Sequence, residues 1–206
     1  MPQFAAITRD GLIELMTHRI LELPGRLVIA IDGADAAAPT PLATVIAAAL
    51  RDTGRAADVV SLHDYVRPAS LRMEFGRDDE LSYRTAWFDY GALRREVVDA
   101  LHDTARWLPA LWDEHTDRSA RATIRRAGPA TVILVAGPML LGRTLPFDLT
   151  LRLDMSEPAL RRTTPPDQHW TIPALLRHNS ENPEPPTFFV RWDHPHRPAL
   201  RTEPPR

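Results

Sequence analysis

The stretch that most constrains this chain is Arg26 to Leu50, RLVIAIDGADAAAPTPLATVIAAAL. It opens with an unbroken apolar run, Leu27 to Ile31, after the turn residue Gly25. A run without alternation is the pattern of a strand buried on both faces, which requires a layer of helices on each side. It then passes through Asp32 and Gly33 into a loop of small residues and leaves as an Ala-rich segment of helical period, Pro39 to Leu50. Four further segments read as strands: Asp58–Leu62, Ala130–Val135, Phe147–Leu153 and Phe188–Trp192. Helical patterns lie between them, so the expectation is a parallel sheet covered on both faces.

Strand, small-residue loop, helix is the order of a phosphate-binding loop. Laid on G-x-x-x-x-G-K-S/T, the loop places Gly33 first, Asp35 within it, then Ala38, Pro39 and Thr40. The first Gly and the final Thr match. The second Gly is Ala38, and the Lys is Pro39. Pro39 has neither an ammonium nor a backbone N–H, so it removes two phosphate contacts at once. Ala38 adds a methyl where backbone must approach the ligand. No Lys elsewhere compensates, because all 25 basic residues are Arg. Losing one preorganised donor at an anionic transition state costs roughly 2.7–4 kcal/mol. Binding of ATP and Mg²⁺ is therefore expected to be lost or weak, and no other cofactor or metal site is indicated. Pro39 also suits the first turn of a helix, where its missing N–H is harmless.

The 206 residues suit a single domain with a sizeable core. A net charge of −2 with interspersed signs carries no footprint for nucleic acid or a membrane surface. No apolar run approaches the ~18 residues of a membrane span, and no signal peptide is visible. A cytoplasmic location is expected. The absence of Cys excludes disulfides, thiol catalysis and Cys-ligated metal.

In chain order, Ile7–Leu21 reads as an amphipathic helix ended by Pro24-Gly25. The strand Asp58–Leu62 delivers His63, Asp64 and Tyr65 at its carboxyl end, where open α/β sheets bind ligands. Arg67–Ser82 reads as a loop, Gly91 to about His102 as a helix, and Thr116–Gly128 as a solvated hairpin or loop. Glu157 to about Thr163 reads as a short helix cut by Pro165-Pro166, Pro173–His178 as a helical turn, and the Pro-rich tail 193–206 as irregular.

Five motifs in order resemble the uridine kinase family, especially the shorter uridine-kinase-like proteins of the P-loop kinase group. The leader helix, strand and loop lie over Leu12–Thr40. The second-strand motif lies over Val60–Tyr65, and a Y-R then F-D-Y-x-A-L-R segment over Tyr83-Arg84 and Phe88–Arg94. An acceptor motif lies over Trp112–Arg118, and the third strand with its Gly over Val132–Gly137. The resemblance implies a P-loop NTPase-like, three-layer α/β/α domain over residues 1–206, with a five-stranded mainly parallel sheet and a reduced lid near 157–186. It also implies roles. The family's catalytic Asp falls on His63, or on Asp64 after a one-residue slip. Asp89 falls where ribose hydroxyls are bound and Trp112 where an aromatic ring packs on the base, with Asp113 and His115 beside it. Tyr65, Arg67, Tyr90 and the lid residue Arg162 complete the implied acceptor set. The family's acidic residue after the third strand falls on Ala136, and a second lid Arg on Pro166. The loop Lys, the loop Gly, the acidic strand end and the lid Arg are all parts of the ATP side.

Each candidate also has a plainer reading. His63 can be a hydrogen-bonded loop residue, Asp64 a turn cap, Asp89 a helix N-cap and Trp112 core packing. Three functions stay open. In the first, the old acceptor pocket supports ATP-independent acid–base chemistry on a small molecule through His63 with Asp64 or His115. In the second, the chain is a non-catalytic pseudokinase that binds a ligand, a protein partner or a second copy of itself. In the third, it is a working kinase in which Arg143 and Arg162 replace the Lys.

Overall fold

The structure is a computed structural model, and it describes residues 3–202. A short strand β1 (Phe4–Ala6) precedes helix α1 (Arg9–Leu21), strand β2 (Leu27–Gly33), helix α2 (Pro39–Asp52) and strand β3 (Ala57–Ser61). Two short helices follow, α3 (Ala69–Arg72) and α4 (Glu80–Thr85). Next comes one continuous helical segment: α5 (Tyr90–Leu93), a π-helical stretch Arg94–Asp99 and α6 (Ala100–Thr104). Four two-residue strands make two small ladders, β4 (Arg106–Trp107) with β7 (Arg125–Arg126) and β5 (Trp112–Asp113) with β6 (Arg118–Ser119). The chain then runs through β8 (Val132–Gly137), β9 (Leu149–Asp154), α7 (Glu157–Thr163), α8 (Thr171–Glu181), β10 (Phe188–Arg191) and β11 (Ala199–Arg201).

The main sheet has the order β1-β11-β10-β9-β2-β8-β3. The five expected strands form its parallel part, β10 to β3. The expected sheet is too narrow by two strands, because β11 pairs antiparallel with β10 and β1 with β11. Neither three-residue piece has enough apolar alternation to declare itself; each is a strand only because a neighbour completes its ladder. The tail is thus irregular only in part, and residues 203–206 lie outside the described residues.

Alternate residues of the unbroken runs enter different cores, as a doubly covered sheet demands. Leu27, Ile29, Ile31, Leu134 and Leu151 pack with Leu12, Met16, Ile46 and Leu50 of α1 and α2. Val28, Ala30, Val60, Ile133 and Val135 pack with Leu93, Val97 and Leu101. β2 sits between β9 and β8, so its carboxyl end opens on the switch point where such sheets place ligands.

Several local expectations shift. Thr8 caps α1, its Oγ1 accepting from the Gly11 N–H at 3.0 Å, so the helix starts two residues after Ile7. The stretch 67–82, read as a loop, contains α3 and the start of α4, which Asp79 caps by accepting from Ser82 N–H at 2.7 Å. The helical turn near 173–178 is part of the 11-residue α8. The π-helical stretch has a clear consequence: the Glu96 carbonyl accepts from the Leu108 N–H at 3.0 Å, and the Tyr65 hydroxyl donates to the Leu108 carbonyl at 2.6 Å. These bonds dock the small ladders on the body.

Gly137 ends β8 under a tight steric limit. A Cβ there would lie 2.5 Å from Leu62 Cβ. Gly137→Ala is expected to lower the unfolding free energy by about 1–3 kcal/mol, as overpacking does. Chemical denaturation measures this, and an unchanged unfolding free energy would mean that Leu62 shifts freely to admit the methyl.

Candidate functional site

The loop after β2 uses two of its N–H donors internally. Residues 35–37 form a single 3₁₀ turn, in which Ala37 N–H donates to Ala34 O at 2.8 Å and Ala38 N–H to Asp35 O at 2.9 Å. Ala38 adopts φ 54°, ψ 54°, the left-handed conformation expected of the Gly it replaces. That costs an L-residue roughly 1–2 kcal/mol. Gly33 is held close, since a Cβ would approach Leu153 Cβ to 3.0 Å. Helix α2 then begins Pro39-Thr40-Pro41, so two of its first three residues have no N–H to offer an anion.

Asp35 projects from this loop to His63, the residue delivered by the end of β3. His63 Nε2 lies 3.0 Å from Asp35 Oδ1, and Nδ1 lies 2.8 Å from Glu114 Oε2. The other Glu114 oxygen accepts from Arg72 Nη1 at 2.6 Å and from Trp87 Nε1 at 3.3 Å. Arg72, 5 % exposed, also approaches Asp117 and lies with its Cζ 5.2 Å from the Trp87 ring centroid. A chain of alternating charge, Asp35–His63–Glu114–Arg72, therefore joins the loop, the strand end, the small ladder and α3.

These contacts set the protonation states. Burial by itself would lower the His63 pKa, but hydrogen bonds and charges from Asp35 and Glu114 outweigh it and raise the value to about 10. At neutral pH His63 is an imidazolium with both N–H groups committed. Burial raises the Glu114 pKa, but His63 and Arg72 outweigh burial and hold it below the ordinary value. Burial raises that of Asp64.

Asp35, His63 and Glu114 of this chain line a cleft of about 770 Å³. The lining continues into aromatic residues that adjoin the charged chain through Trp87: Tyr83, Trp87 and Trp170 pack together with ring centroids 5.3–5.5 Å apart. Residues Thr163–Pro165, Gln168 and Thr171, around the turn between α7 and α8, close it from above. Among the described residues, no Arg lines the cleft. The lid arginines are engaged elsewhere, Arg161 with Glu157 at 2.7 Å and Arg162 with the Asp193 carbonyl at 2.9 Å. Arg143 donates to the Arg84 carbonyl at 2.5 Å and stacks over Tyr90, 4.3 Å from the ring centroid.

The expected site residues divide. His63 and His115 line both the main cleft and a smaller neighbouring pocket of about 360 Å³. Asp64, Trp112 and Asp113 line only the smaller one. Trp112 donates its Nε1–H to Asp117 at 3.0 Å, and Asp113 holds its own turn by accepting from His115 N–H and the Thr116 hydroxyl. Asp89 caps α5, accepting from Ala92 N–H at 2.8 Å. Tyr65 is fully buried, the Tyr90 hydroxyl is buried, and the Arg67 N–H donates to the Trp87 carbonyl at 2.8 Å. A single pocket uniting His63, Asp64, Asp89 and Trp112 is not formed.

Sequence reasoning missed Glu114, Arg72, Trp87 and Trp170. Glu114 lies inside the Trp112–Arg118 motif, but the hairpin register decides which of the motif's three carboxylates, Asp113, Glu114 or Asp117, meets His63. Arg72 sits in a stretch read as loop and carries no signal of its own.

Below the loop, Asp32 and Arg152 form an ion pair within the sheet, Oδ2 to Nε 2.9 Å. Asp32 Oδ1 accepts from Leu140 N–H at 2.8 Å.

No family model and no curated protein matches this sequence. Solved structures do match in shape. A possible uridine kinase from Bacillus stearothermophilus superposes with a TM-score of 0.67 at 21% identity, covering 82% of this chain and 91% of that one. A candidate fructose transport system kinase from Silicibacter sp. superposes with a TM-score of 0.55 at 21% identity, covering 82% and 89%. This chain has the uridine-kinase-like P-loop kinase fold, a three-layer α/β/α arrangement around a mainly parallel sheet. Among the described residues, no helix is long and apolar enough to cross a membrane.

Proposed function

We propose that this chain is a cytoplasmic small-molecule-binding protein built on a kinase fold, and that it does not transfer phosphoryl groups from ATP. The observation that carries this is the side chain at the loop: Asp35, a carboxylate, projects from it to His63, whereas a triphosphate-binding loop presents cations and N–H donors. The residues present do not fit ATP and Mg²⁺. Pro39 and Pro41 withhold N–H groups, Ala37 and Ala38 spend theirs inside the loop, and Arg72, Arg143, Arg161 and Arg162 are tied to other partners. Helix N-termini hold phosphate through free N–H groups and the helix dipole together, and here the first are scarce. The cleft keeps the size of a ligand site, within the roughly 300–1,000 Å³ typical of small-molecule pockets.

Isothermal calorimetry tests the reading directly. ATP with Mg²⁺ at millimolar concentration should produce no binding heat with the full chain. A saturable heat would overturn the proposal and restore an atypical kinase.

One observation favours a catalytic variant of the same reading. Glu114 fixes Nδ1 of His63, which turns Nε2 toward the cleft. In that variant His63 is a proton donor, not a base, because it is already protonated near neutrality.

A further inference from the structure

We infer that the cleft selects an organic cation, a small molecule with an ammonium-type head and an apolar body. The inference rests on the phosphate-free reading above and goes further by naming the ligand class. It starts from the charges. The cleft lining holds two carboxylates, Asp35 and Glu114, against one imidazolium, His63. Glu114 is saturated: one oxygen accepts from His63, and the other accepts from Arg72 and Trp87. Asp35 is not. Its Oδ1 meets His63, its Oδ2 has no hydrogen-bond partner among the described residues, and its side chain is 49 % exposed. One carboxylate oxygen is therefore available to a ligand at the loop end of the cleft.

The aromatic part of the lining suits the rest of such a molecule. Trp87 turns its only donor to Glu114, so its carbon body is what remains for the cleft. Tyr83 packs against it edge-on and Trp170 at a tilt of 52°, and both add ring surface. Ring faces attract cations through their quadrupole, by ~0.5–2 kcal/mol depending on desolvation. Trp87 already carries one cation in this way, the Arg72 guanidinium. A phosphate or carboxylate entering the same space would meet the unpaired Asp35 oxygen, while the nearby cations, His63 and Arg72, are already engaged with Asp35 and Glu114.

Three probes sharing a phenyl body separate the cases in calorimetric titrations of the full chain: benzyltrimethylammonium, 2-phenylethanol and phenylmethanesulfonate. The cation should bind about tenfold more tightly than the neutral alcohol, and the sulfonate should not bind. Asp35→Asn should weaken the cation about fivefold and leave the alcohol unchanged, the size of a partly exposed ion pair. Asp35 lies on an exposed loop turn, and the wild-type probe series stands without the variant. Equal affinity for alcohol and cation, or no heat with the cation, overturns the inference. If ATP–Mg²⁺ is silent in the same instrument, that result removes only the ligand class. If ATP–Mg²⁺ binds, the phosphate-free reading itself has failed.

Discussion

Asp32→Ala is expected to lower the unfolding free energy by about 3–5 kcal/mol, the cost of breaking a buried ion pair from one side. Asp32 is 3 % exposed and Arg152 7 %. The carboxylate has two obligations, Arg152 Nε at 2.9 Å and Leu140 N–H at 2.8 Å. Removing it strands a guanidinium between two core strands and leaves an amide without an acceptor. Arg152 is already short of partners, since its Nη2 is buried without a hydrogen bond among the described residues. A cavity of about 20 Å³ beside it has room for about one water and cannot hydrate the whole group. A domain of ordinary stability has about 5–15 kcal/mol in total, so this single change removes a large share. Urea denaturation of Asp32→Ala, Arg152→Met and the double variant measures it. The double variant should be much more stable than Asp32→Ala alone. A loss under about 1 kcal/mol for Asp32→Ala would mean that the pair is solvated after all.

The second large effect is a loss of stability between about pH 6.5 and pH 10. The His63 pKa is raised to about 10 in the folded chain, against an ordinary value of 6.5. A raised pKa means the folded state holds this proton more tightly than the unfolded chain does. The resulting stabilisation is complete below the unfolded value and disappears as pH climbs through the folded one. The His63 side chain is 35 % exposed, so solvent screens the pair. About 1–2 kcal/mol is the expected loss across the window, well under the unscreened conversion of the shift. The composition makes the test unusually clean. With no Lys and no Cys, few other groups titrate between the histidines and the tyrosines. Denaturation at intervals from pH 6.5 to pH 10 should show a decline that Glu114→Gln shortens and His63→Asn abolishes. An unchanged slope in His63→Asn would assign the decline to another group.

The sheet and the composition of the loop were readable for different reasons. Leu27–Ile31 and Ala130–Val135 are buried on both faces, so neither run needs polar alternation, and burial of that kind leaves a plain signature. Pro39 and the missing Lys are chemical absences, visible at any level of structure. The cleft was less readable. Asp64 and Trp112 are close to His63 in motif order, yet they face a neighbouring pocket, because the turn at Leu62–Tyr65 and the β5–β6 register rotate them there. Asp89 is drawn into capping α5, a local backbone need. Glu114 and Arg72 reach His63 from segments whose patterns are weak, and only the docking of the small ladders brings them in.

Taken alone, the amino-acid order determined the layered α/β frame and the composition of the loop, with Pro39 and no Lys, because apolar runs and residue types act locally. The tertiary structure decided which charges meet. Asp35, His63, Glu114 and Arg72 come from four segments, and a contact between two charges depends on the distance between them in space, which no spacing along the chain records.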